Sequence, residues 1–145
     1  MFLLGYDLKP GWAEQHPEAW WKQVKSATAE IRSKAAGKIQ DVKAVGISYQ
    51  MHGLVLVDRN RKPLRPAIIW CDSRAVGIGE HAFSALTPRK CLRRLLNSPG
   101  NFTASKLKWV MTHEPEIFAQ THKFMRPGDY LAMRMTGEIR TTAPG

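Results

Sequence analysis

Val42-Lys43-Ala44-Val45-Gly46-Ile47-Ser48-Tyr49-Gln50-Met51-His52-Gly53-Leu54-Val55-Leu56-Val57-Asp58 is the stretch that decides the fold. Val42 to Ser48 is apolar and β-branched enough to read as a buried strand, and Leu54 to Asp58 reads as another. The polar residues Gln50 to Gly53 then form a strand-to-strand crossing. Arg59-Asn60-Arg61-Lys62 supplies a turn, and Ala67 to Trp70 reads as a third strand. A polar crossing at a sheet edge is where a ligand can meet rigidly held backbone and side chains. Taken alone, His52 is either such a contact or a histidine satisfying a buried backbone group, and Met51 reads as core packing.

Upstream, Phe2 to Asp7 reads as a short buried strand that delivers Asp7 to its C-terminal edge, followed by the turn residues Leu8-Lys9-Pro10-Gly11. Pro17 is placed to open a helix in which Trp20, Trp21, Val24, Ala27, Thr28, Ile31 and Ala35 share one face, with Gly37 as its stop. Downstream of Ser73 the spacing predicts helices over 75–86, 89–96, 104–112, 115–119 and 129–135. Residues 97–101 read as a loop, and 123–125 as a short strand. The whole is an α/β domain, a mixed sheet with flanking helices.

Trp70-Cys71-Asp72-Ser73-Arg74 is the second polar constellation. Asp72 suits the N-terminal turn of the following helix, with Arg74 as its ion-pair partner or a surface residue. A catalytic role for Asp72 requires a substrate hydroxyl within hydrogen-bond reach.

Composition narrows the class. The 145 residues suffice for one domain, and no apolar run approaches the ~20 residues of a membrane span. The short apolar start ends on Asp7 without a basic leader, so a cytoplasmic address is expected. Cys71 and Cys91 have no Cys or His partners at metal spacing, so neither a disulfide nor a zinc site is expected. The net charge of +10 raises a basic nucleic-acid-binding module as an alternative. Its lysines and arginines are scattered among apolar residues at helical spacing or in turns, and no zinc-finger or RNA-binding signature accompanies them.

Three segments carry a resemblance. Gly11 to Trp21, Ala44 to Gly53 and Leu64 to Arg74 are similar, in order and spacing, to the N-terminal domain of the FGGY family of carbohydrate kinases, its bacterial xylulokinases above all. Asn101 to Leu107, Glu114 to Ala119 and Pro127 to Leu131 continue the likeness. The resemblance implies an actin-like, ribonuclease-H-like fold whose two domains bring sugar and ATP together in a cleft. It implies that Met51 and His52, with Gln50 beside them, contact a ketopentose. Family members acting on gluconate tend to carry serine after this histidine, and glycerol kinases an arginine-glutamate pair, so the form here favours xylulose. Trp70, Asp72 and Arg74 match a motif common to the family and support membership more than substrate. Asp7 matches the acid near the phosphates and metal, and ATP and Mg²⁺ are the cofactors implied for an intact member.

Two departures from the family pattern follow. After Asp7-Leu8 the chain goes directly to Lys9-Pro10-Gly11, where the family has a Gly-Thr-rich phosphate loop, and roughly 20 to 30 residues are expected to be missing there. Lys9 reads as a solvated turn residue rather than a phosphate ligand. The family's catalytic Asp is expected beyond Gly145, with the adenine site, and Asp129 reads as a helix N-terminal acid. Residues 1–145 are thus expected to be a partial N-terminal domain, a first strand over 1–8 and the remainder from 11, without catalysis of its own. The uncovered face of Trp20, Trp21, Val24 and Ile31 is expected to favour self-association. A sugar- or partner-binding fragment without turnover is the alternative.

Overall fold

The computed structural model describes residues 9–35 and 37–141. The first strand and Asp7 lie outside the described residues. Four short strands and six α-helices follow in the order β1 (Glu14–Gln15), α1 (Pro17–Lys34), β2 (Val55–Val57), β3 (Ala67–Ile68), α2 (Val76–Leu86), α3 (Pro88–Leu95), α4 (Thr103–His113), α5 (Pro115–Gln120), β4 (Lys123–Met125) and α6 (Pro127–Thr136). Single 3₁₀ turns occupy Lys38–Asp41 and Pro99–Asn101.

All pairings are antiparallel. β1 lies against β3, with Glu14 opposite Ile68, and β2 against β4, with Leu56 opposite Phe124. Leu54 exchanges hydrogen bonds with Ile68 at 2.8 and 3.2 Å, which joins the two pairs side by side in the order β1-β3-β2-β4. Residues Arg59 to Lys62 make the turn of the β2–β3 hairpin, closed by the Asp58 N–H on the Lys62 carbonyl.

Successive strand residues point to opposite faces, and both faces are covered. Leu54, Leu56 and Ile68 pack with Ala75, Trp109 and Val110 on one side; Val55, Val57 and Ala67 pack with Met125, Tyr130 and Met133 on the other. Double coverage is why Leu54 to Val57 is an unbroken apolar run rather than an alternating one.

The helices form where the sequence places them, each within two residues of its expected ends. His16 caps α1 through its ring nitrogen, Pro17 occupies the first turn, and Gly37, at φ 91°, opens the turn that follows it. Asp129 does what a helix N-terminal acid does: its carboxylate accepts from the Arg126 N–H at 3.2 Å.

Val42 to Ser48 departs from the expected buried strand. The segment has no regular structure, and Val42 and Val45 are exposed. Among the described residues, no strand lies beside it to take its N–H and C=O groups, and an unpaired apolar strand sequence does not become a strand on propensity alone. β1 is the converse case, a two-residue strand in Glu14-Gln15 that carries no β signature and forms because β3 offers it an edge.

Candidate functional site

The crossing over 50–53 is a tight turn held chiefly from its C-terminal side. His52 has a left-handed backbone (φ 62°), which costs a residue with a Cβ ~1–2 kcal/mol. Gly53 is required next: a Cβ there would stand 2.6 and 2.9 Å from the ring carbons of Pro127 at the start of α6. The Thr103 hydroxyl donates to the Gly53 carbonyl at 3.2 Å, and the Lys106 ammonium donates to the His52 carbonyl at 2.9 Å. The His52 ring lies flat on Phe102, centroids 4.8 Å apart and planes 7° from parallel. α4 and the residues just before it therefore set this turn.

The His52 ring nitrogens have no hydrogen-bond partner among the described residues. Burial, then the charges of Lys106 and Arg126, hold its pKa below the ordinary 6.5. At neutral pH the ring is uncharged, with one N–H donor and one bare nitrogen acceptor, the pair a sugar hydroxyl can use. Met51 is 57% exposed, which corrects the reading of it as core packing. The Gln50 amide donates to Gln15 Oε1 at 3.2 Å, and Gln50 Oε1 is buried without a hydrogen-bond partner.

The second constellation divides. Trp70 is 56% exposed, and its carbonyl accepts from the Asn101 amide, which ties the end of β3 to the turn before α4. Asp72 is fully buried and does not cap a helix; α2 starts only at Val76, so the N-terminal-acid reading is corrected. Its carboxylate accepts from the Ala13 N–H at 2.5 Å, the Arg74 N–H at 2.9 Å and the Arg74 guanidinium at 2.7–3.0 Å. The Arg74 side chain is buried as well, 2.7 Å from Glu14, with its guanidinium 3.8 Å from the centre of the Trp12 ring. Arg65 extends the network from Glu14 to Glu114. This is the arrangement a buried charge needs, paired and hydrogen-bonded, and it fastens the Trp12–Glu14 segment to the end of β3.

Lys9 is exposed, with its ammonium 5.2 Å from the centre of the Trp12 ring. Cys71 and Cys91 are both free thiols. Among the described residues no helix is long and apolar enough to cross a membrane, and no three His, Cys, Asp or Glu side chains gather where they could hold a metal ion.

Sequence reasoning gave no role to Lys106, which is completely buried beneath the turn. The signal was present: Phe102, Lys106, Trp109 and Val110 recur on one helical face, and a lysine inside an apolar stripe needs a partner for its ammonium.

The chain as a whole has matches among known proteins. The sequence profile of the FGGY family of carbohydrate kinases, N-terminal domain, covers residues 6–143. The chain belongs to this family. It is 44% identical over 130 residues to the xylulose kinase of Escherichia coli (strain K12), an alignment of 90% of this chain and 26% of that protein. The crystal structure of a xyloylose kinase from Brucella ovis superposes with a TM-score of 0.82 at 35% identity, over 92% of this chain and 27% of the other. A gluconate kinase from Lactobacillus acidophilus superposes with a TM-score of 0.80 at 26% identity, over 92% and 27%. The chain thus spans about a quarter of the length of the FGGY kinases it matches. Its fold is the actin-like, ribonuclease-H-like α/β fold of these kinases.

Proposed function

We propose that this chain carries the sugar-contacting wall of an ATP-dependent carbohydrate kinase whose substrate is a ketopentose, D-xylulose first, phosphorylated on its terminal hydroxyl to D-xylulose 5-phosphate. The observation that carries the reading is the neutral, half-buried His52 ring with unpartnered nitrogens, set in a strained turn beside an exposed Met51. Met51 would cover a C–H face of the sugar, His52 would exchange hydrogen bonds with its hydroxyls, and Gln50 would offer its unpaired Oε1. Similarity to enzymes named xylulose kinase supports the ketopentose, and similarity to one named gluconate kinase supplies the competitor to test against it.

ATP and Mg²⁺ supply the phosphoryl group and the charge neutralisation in such kinases. This chain alone is proposed to bind neither well; among the described residues no three His, Cys, Asp or Glu side chains gather where they could hold a metal ion. No step of transfer is assigned to them, and Asp7, the proposed neighbour of phosphate and metal, lies outside the described residues. The chain alone is proposed to bind sugar without turning it over, in the cytoplasm, with neither nucleic acid nor membrane as partner. Titration calorimetry of the full chain with D-xylulose, D-gluconate and glycerol tests this, alongside a coupled assay with ATP. Saturable binding strongest for D-xylulose, lost in His52→Ala and without turnover, is expected. Absence of saturable binding by any of the three overturns the sugar reading; turnover overturns the proposed inactivity.

A further inference from the structure

Lys106 is the one completely buried lysine among the described residues, and no carboxylate approaches its ammonium within ion-pair distance there. Its hydrogen bonds go instead to two carbonyls, those of His52 at 2.9 Å and Asn101 at 3.1 Å. Burying an ammonium without a contact anion is expensive, and a leucine or methionine would fill the same space at no such cost. Burial pushes the Lys106 pKa down to about 8, with Asp72 and Cys71 opposing and Arg74 adding to the shift. What the ammonium supplies in return is a link between two loops that share no backbone hydrogen bond. One contains the left-handed His52; the other leads into Phe102, on which the His52 ring rests.

We infer that Lys106 is a positioning residue of the sugar site: its buried ammonium clamps the carbonyls of His52 and Asn101, and so fixes the left-handed turn that lays the His52 ring on Phe102. The inference rests on the reading of Met51 and His52 as sugar contacts. The clamp has a second effect through space, because after burial, which lowers the imidazole pKa most, the charges of Lys106 on α4 and Arg126 before α6 lower it further. The ring is therefore both oriented and held in the protonation state that a hydroxyl can bridge.

The test uses the full chain and two variants. Lys106→Met removes charge and donors; Lys106→Gln removes the charge and keeps an amide donor, and serves where the methionine variant does not fold. D-Xylulose is titrated calorimetrically, and the His52 ring is followed through pH by nuclear magnetic resonance. Lys106→Met is expected to weaken sugar binding about tenfold or more, Lys106→Gln less, and both to move the His52 titration up toward its ordinary value of 6.5. Folded variants that bind as the parent does, with an unmoved His52 titration, overturn the clamp. Should the parent chain itself show no saturable D-xylulose binding, the sugar reading falls separately. The clamp is then judged on the His52 titration alone, upheld if it rises and overturned if it does not.

Discussion

Asp72→Asn is the substitution whose cost the structure fixes best. Asparagine keeps the shape, and its one carbonyl oxygen can still accept from the Ala13 or Arg74 N–H. Its amide nitrogen, however, turns donors toward the Arg74 guanidinium, which Asp72 now meets at 2.7 Å. Arg74 would keep Glu14 as an ionised partner but lose the Asp72 charge inside the protein, where its side chain is 1% exposed. Breaking one side of a buried pair costs ~3–5 kcal/mol. That is a large share of the ~5–15 kcal/mol that holds a domain folded. With a urea m-value of ~2 kcal/mol/M, the midpoint should fall by ~2 M. The decisive measurement is a double-mutant cycle with Arg74→Met followed by urea unfolding. Removing both charges leaves no orphan, so the double variant should be less destabilised than the sum of the singles by ~1–3 kcal/mol. A single-variant cost below ~1 kcal/mol, or strict additivity, would show that Asp72 and Arg74 are not the coupled pair described.

Gly128→Ala should destabilise the chain by ~1–3 kcal/mol and weaken sugar binding together, because a Cβ at 128 would overlap the Tyr49 ring next to the site; unimpaired binding in the calorimeter would separate Tyr49 from the site. For Lys106 the sign runs upward with pH. Below about 8 the buried ammonium is charged in both states and its burial cost is present in full, while between about 8 and 10.5 the native chain sheds the proton first and gains up to ~3 kcal/mol. The stability of the parent relative to Lys106→Met should therefore rise with pH across that window in urea titrations, and a relative stability that stays flat would refute it. Between α1 and α6 an open groove of about 340 Å³, lined by Trp21, Val24, Thr28, Ala29 and Met135 with Lys25 and Arg32 at its rim, leaves apolar surface uncovered. A second copy is proposed to cover it; sedimentation should show mass rising with concentration, and a monomer at all concentrations would reject it.

Much of the fold was legible because its helices announce themselves locally: Pro at the first turn, Gly or a polar residue at the end, apolar positions three and four apart. A strand reading held only where a partner strand exists among the described residues. Leu54 to Val57 has β3 on one side and β4 on the other, whereas Val42 to Ser48, also rich in β-branched residues, has no partner strand among the described residues, so similar strand readings had two outcomes. The site was half legible. Gln50 to Gly53 stood out as a polar crossing and Asp72 as an acid, but whether an acid caps a helix or pairs in the core depends on where Ala13 and Arg74 arrive in space. Lys106 sits 54 residues from His52, and that separation hid the anchor although the lysine itself was conspicuous in its apolar stripe.

The same asymmetry bears on how the site would work. From Gly53 onward the turn is held by Thr103, Lys106 and Pro127, and runs into a strand buried on both faces. On the other side, residues 43–50 make no backbone hydrogen bond among the described residues; side-chain contacts tie their end, Gln50 to Gln15 and the Tyr49 ring beside Gly128 and Arg126. Fixing each backbone residue costs ~1–2 kcal/mol, so ordering Gln50 and Met51 around a ligand would subtract several-fold or more from affinity, whereas His52 is already in place. Amide hydrogen exchange on the full chain separates these halves. Residues 43–49 should exchange at close to unprotected rates without sugar, residues 54–57 should be protected, and D-xylulose should slow exchange at 50 and 51 more than at 52 and 53. Equal protection on both sides of His52 before sugar is added would mean that the lead-in segment is held by contacts other than those described.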